Sequence, residues 1–66
     1  MEIKLHLKEL REARGLSQRK LAKLADISAT CIKYHERHLL MAPNLVTVCL
    51  LAKALDCTLD KLVTFE

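Results

Sequence analysis

Sixty-six residues, 52% of them hydrophobic but only one Tyr and one Phe among them, bound this chain to a single small domain with an aliphatic core. One Gly and one Pro leave too little turn chemistry for an all-β fold, and three Cys do not make the even, dense set of a secreted disulfide scaffold. Net charge is +3, carried by residues 1–37 with nine Lys/Arg against five Asp/Glu, whereas residues 38–66 hold two Lys against three acids.

The chain opens MEIKLHLKEL, in which Glu2, Lys4, Lys8 and Glu9 break any apolar core of a signal peptide. The most apolar stretch, Leu45 to Ala52, includes Thr47 and is too short to cross a bilayer. A soluble, cytoplasmic protein is expected. A domain of this length buries only about 60% of the surface its unfolded chain exposes, so a partner chain would add to its stability.

Ile3, Leu5 and Leu7 alternate with Lys4, His6 and Lys8, which is a strand period. Leu62 to Phe65 carry β-favouring side chains, so the two ends are able to pair as a small two-stranded sheet. The alternative places Ile3, Leu7, Leu10 and Arg14 on one face of a longer first helix. The strand is favoured, with a first helix from about Leu7 to Arg14 and Gly15 as its left-handed cap. Ser17 caps a second helix ending near Leu24, with Leu21 and Leu24 inward and Ala22 small where helices approach. Ala25-Asp26-Ile27 makes a turn. Ser28 caps a third helix to about Arg37, anchored by Ile32. Asn44 caps a fourth, with Leu45, Val48, Leu51, Ala52 and Leu55 inward. Thr58 caps a short fifth, anchored by Leu59 and Leu62. The expected fold class is all-α, five helices in one domain spanning 1–66, with a possible terminal β pair.

Residues Ser17 to Glu36, SQRKLAKLADISATCIKYHE, hold two short helical patterns, each opened by a serine and joined by a tight turn. That is the layout of a helix-turn-helix, whose second helix is held out to enter a DNA major groove. Between Arg14 and Lys23 the chain carries Arg14, Arg19, Lys20 and Lys23 and no acid, which suits a polyanion or, equally, an ordinary solvated helix face.

With LKELREARGLSQRKLAKLADIS in its first half and LAKALDCTLDKL at its end, the chain resembles the lambda-repressor-like (Cro/XRE) helix-turn-helix family over nearly its whole length. The resemblance implies sequence-specific binding of double-stranded DNA by a small homodimeric regulator, a repressor, with helix 28–37 in the major groove. It implies that Gln18 holds a phosphate and braces the recognition helix, that Ser28 contacts a phosphate, and that Ala29, Thr30 and Tyr34 reach base edges with Lys33 beside them. Arg19 and Arg37 complete the candidate DNA contacts. Ala29 and the Thr30 methyl suit a thymine methyl, and few bidentate base contacts are expected. Arg11 and Glu36 match a structural ion pair that orients the recognition helix. Asp26 and His38 stand where the family favours Gly; Asp and His tolerate left-handed backbone better than most residues.

The loop His38-Leu39-Leu40-Met41-Ala42 is apolar where family members are often polar. Leu39, Leu40, Met41, Val46 and Leu50, with Phe65, form the expected homodimer interface. A two-fold dimer would set two recognition helices about 34 Å apart. A competing reading is a protein-interaction module, such as an antitoxin, that docks a partner protein through Leu39–Met41. Cys31, His35 and His38 recur at helical spacing, with Cys49 as a conceivable fourth ligand, but the spacing matches no common zinc motif, and no metal or cofactor is expected. No catalytic constellation is present, and an enzyme is not expected.

Overall fold

The computed structural model describes residues 3–37 and 44–65. Among them, five helices and two short strands follow one another as β1 (Ile3–Leu5), α1 (Leu7–Ala13), α2 (Gln18–Ala25), α3 (Ala29–Glu36), α4 (Leu45–Ala54), α5 (Leu59–Leu62) and β2 (Val63–Phe65). Each of the three longest helices starts where a short polar side chain can satisfy an orphan N–H. Ser17 Oγ accepts from the Lys20 N–H at 3.0 Å, Ser28 Oγ from the Cys31 N–H at 3.1 Å, and Asn44 Oδ1 from the Thr47 N–H at 2.8 Å. Thr58 corrects the sequence expectation. It has the extended backbone of an N-cap, but its side chain makes no capping bond.

Three helices end the same way. At the end of α1 the Leu16 N–H reaches the Arg11 carbonyl and the Gly15 N–H reaches Glu12. The same pair of bonds closes α2 through Ile27 and Asp26, and α4 through Cys57 and Asp56. This is the Schellman arrangement, and it needs one left-handed residue. Gly15, Asp26 and Asp56 supply it, with φ of 66°, 57° and 52°.

The termini pair antiparallel, with Ile3 opposite Phe65, Lys4 opposite Thr64 and Leu5 opposite Val63. The His6 N–H continues the ladder to the Leu62 carbonyl at 2.8 Å. Side chains alternate across a strand, so Ile3, Leu5, Val63 and Phe65 share one face and Lys4 and Thr64 the other. On that second side Thr64 Oγ1 and His6 Nε2 share a hydrogen bond of 2.8 Å.

The core draws one or two large aliphatic side chains from each helical segment: Leu7, Leu21, Ile32, Leu51, Leu55 and Leu62 are fully buried. Burial of each such side chain is worth about 1.5–3 kcal/mol. Ala22 and Ala25 of α2 and Ala52 of α4 are buried between them, where a small side chain lets helices approach.

Three residues expected inward are exposed. Leu24 is 54% exposed because α2 buries the side carrying Leu21, Ala22 and Ala25, and Leu24 falls beyond its edge. Leu45 (72% exposed) and Leu59 open α4 and α5 one turn before the buried Val48 and Leu62, and so lie past the end of the core. Conversely, Leu50, expected outward, is half-buried and packs on the core. Among the described residues no helix is long and apolar enough to cross a membrane.

Candidate nucleic-acid interface

Helix α3 is fixed from its inner side and left open on its outer side. Ile32 is fully buried and His35 is 4% exposed. Three and four residues separate positions on one helical face, which sends Thr30, Lys33, Tyr34 and the capping Arg37 outward, where all four are exposed. Ala29 and Cys31 are half-buried at the margin, and Ala29 packs on the core. Ser28 is exposed at the helix start. Its Oγ accepts from the Cys31 N–H, and a hydroxyl that accepts can still donate, so Ser28 retains an O–H for an anion drawn to the helix N-terminus.

The far end of α3 is clamped. Arg11 of α1 donates from Nε to Glu36 Oε2 at 2.7 Å and from Nη2 to Oε1 at 3.0 Å. Its Nη1 donates to the Leu16 carbonyl at 2.6 Å. Gln18 of α2 donates from Nε2 to Glu36 Oε1 at 3.1 Å. The side chains of Arg11 and Glu36 are only 12% and 4% exposed. One carboxylate therefore ties together α1, α2 and α3 through three hydrogen bonds. Burial alone would push the Glu36 carboxyl up, but the hydrogen bonds from Arg11 and Gln18, with the charges of Arg11 and Lys8, hold it below the ordinary carboxylate value. The hydrogen bond to Glu36 raises Arg11 in turn, against its own burial. Among the described residues no buried side-chain nitrogen or oxygen lacks a partner.

Gln18 braces α3 from within the chain, since one N–H of its amide is committed to Glu36. An amide nitrogen carries two N–H groups, and the second is the one to offer a phosphate. Exposed Arg19 lies beside it, and with Ser17, Lys20 and Lys23 lines a shallow open depression. Lys20 and Lys23 belong to the run of basic residues without an acid between Arg14 and Lys23, and both are exposed.

Of the other candidates, Leu39, Leu40, Met41 and His38 lie outside the described residues, so the expected docking loop and the third member of the Cys31–His35–His38 set do too. His35 is buried, and burial lowers its pKa. Among the described residues no group of three or more His, Cys, Asp or Glu is placed to hold a metal ion. Cys31 and Cys57 are half-buried free thiols and Cys49 is exposed. Val46 and Phe65 are exposed.

A protein-family model described as helix-turn-helix matches residues 7–62 of the chain, which include all five helices. No curated protein matches it.

Proposed function

The chain belongs to the lambda-repressor-like (Cro/XRE) helix-turn-helix family of DNA-binding transcription regulators, and on that premise we propose that it is a sequence-specific repressor whose α3 lies in the major groove. The observation that carries this reading is the outer row of α3. Thr30, Lys33, Tyr34 and Arg37 project from a helix whose inner side is buried and whose end is held by Arg11 and Gln18. A recognition helix must arrive at the base edges already rigid, because ordering it on binding would cost affinity. Ser28 at its start, with Gln18, Arg19, Lys20 and Lys23 of α2, supplies phosphate contacts that set the register. Thr30 and Tyr34 then read base edges, with Ala29 against a thymine methyl. The absence of Asn, Gln or Arg at positions 29 and 30 leaves part of the specificity to duplex shape. Two copies on a two-fold axis would read half-sites about one helical turn apart.

The test is duplex binding by fluorescence anisotropy, on sites selected from random DNA. A dimer that neutralises several phosphates loses about 10³–10⁵ in affinity between 50 and 200 mM salt. The selected sites are expected to be palindromic. Ser28→Glu places a carboxylate against phosphate and is expected to weaken binding about 100-fold with an unchanged circular dichroism spectrum, since like charges brought together cost several kcal/mol. Equal affinity in that variant rejects this face.

A further inference from the structure

We propose that the apolar groove between the terminal sheet and the first residues of α4 and α5 binds a small organic cation, an ammonium group carried on an apolar body. The site is separate from the face proposed for the operator, and the inference does not depend on that reading.

The groove encloses about 380 Å³. One wall is the sheet. Pairing Ile3 with Phe65 and Leu5 with Val63 gathers four apolar side chains on one face. The other wall is made where α4 and α5 begin, with exposed Leu45 and Leu59 at the mouth and buried Val48 at the base. Asp60, in the first turn of α5, is the one charged residue of the lining.

Two physical arguments choose the occupant. The first is size. Eight residues line the groove, against about 20–30 a side in a standard protein interface, so a protein partner would find little to hold. The volume falls instead at the small end of small-molecule sites, which run from about 300 to 1,000 Å³ and are mostly apolar with a few polar groups that fix orientation. At the roughly 30 Å³ of a water-sized group it admits about a dozen non-hydrogen atoms. The second is charge. Nothing in the lining compensates Asp60. Lys61, its neighbour in sequence, lines a different cleft with Lys53 and Asp56, and Lys4 leaves the sheet on the opposite face. Among the described residues no cation pairs with Asp60. An apolar body in the groove therefore meets one carboxylate at its edge. It gains from carrying a single positive charge, and an anion there is repelled. A carboxylate only accepts hydrogen bonds and an ammonium only donates them, so the pair also matches in hydrogen bonding. The groove takes no residue from α2 or α3, so a bound cation leaves the outer row of α3 uncovered.

Titration of the full chain with octylammonium, octanol and octanoate, one alkyl chain in three charge states, tests this by amide chemical shifts in NMR. Shifts are expected at Ile3, Leu45, Leu59 and Val63. Octylammonium is expected to bind about 3-fold more tightly than octanol, and octanoate about 3-fold more weakly, the scale of one exposed charge pair. Asp60 is exposed, so Asp60→Asn should keep the fold and bring the three probes to one affinity. Leu45→Ser removes apolar wall and should weaken all three by about 10-fold. Leu24→Ser alters an exposed leucine of α2 outside the groove and should leave them unaltered. Groove amides that do not move overturn the proposal, as do equal affinities in the unsubstituted chain or an order that survives Asp60→Asn. Shifts spread over the whole chain mark unspecific adsorption and overturn it too. Groove shifts that grow with protein concentration, with no probe present, overturn it in favour of a second copy.

Discussion

On α2 and α3 the exposed side chains are Arg19, Lys20, Lys23, Leu24, Thr30, Lys33, Tyr34 and the capping Arg37; on one face of the terminal sheet and at the starts of α4 and α5 lie the exposed apolar side chains Ile3, Leu45, Val46, Leu59 and Phe65. Both regions sit on the same small core; the first has one exposed leucine, Leu24, and the second has Lys4, Asp60, Lys61 and Thr64 around its apolar face. The difference teaches how a domain this small keeps its charged and its apolar surface apart. Affinity for a polyanion requires unpaired positive charge in water. Self-association requires removing apolar surface from water with little charge to desolvate. A single face cannot satisfy both, because the charges that draw a polyanion are costly to desolvate in an apolar contact. The one acid on α3, Glu36, does not dilute the basic surface: it is turned inward and neutralised by Arg11.

The comparison breaks most severely at that ion pair, which supports the basic region from within. Arg11→Ala leaves Glu36 buried with only the amide of Gln18, and losing one partner of a buried pair costs about 3–5 kcal/mol. Urea melts should show a loss of that size; melts matching the unsubstituted chain would mean that α3 is held by packing alone.

A second test sharpens the contrast by acid. Burial lowers the pKa of His35, so below about pH 6.5, the value for a free imidazole, the unfolded chain holds a proton that the native one lacks. Stability then falls as pH drops from there toward the native pKa. Glu36 acts in the same direction at lower pH. Its native pKa is depressed, so its contribution is complete above the ordinary carboxylate range and is lost as pH falls through the native value. Urea melts across pH 7 to 3 should show two descending steps, and His35→Gln should remove the upper one alone. Both groups lie on α3, so both steps report on how that helix is seated.

The smallest effects are expected at the helix ends, which the two regions share. A Cβ added at Gly15 would meet nothing within 4 Å, so Gly15→Ala tests left-handed backbone alone and should cost about 1 kcal/mol. Asp26→Gly should have the opposite sign and a size below about 1 kcal/mol, since Gly relieves the strain but enlarges the unfolded ensemble. Thermal melts of the two variants measure both.

Much of this chain was legible before any coordinates. Ser17, Ser28 and Asn44 announced their helices because a cap acts over three residues, and Gly15 announced the end of α1 for the same local reason. The spacing of Val48, Leu51, Ala52 and Leu55 marked a buried stripe. Only the tertiary structure decided which leucines were left over. Leu24, Leu45 and Leu59 continue the helical periods of buried neighbours, and whether a period is covered at its end depends on elements far away in the chain. The register of the terminal strands, which turns Ile3 and Phe65 to one face, joins residues about sixty positions apart. The bond from Gln18 to Glu36 spans two helices and a turn. Capping and periodicity are local forces and can be read along a sequence, whereas facing is set by what packs opposite, which no short window contains.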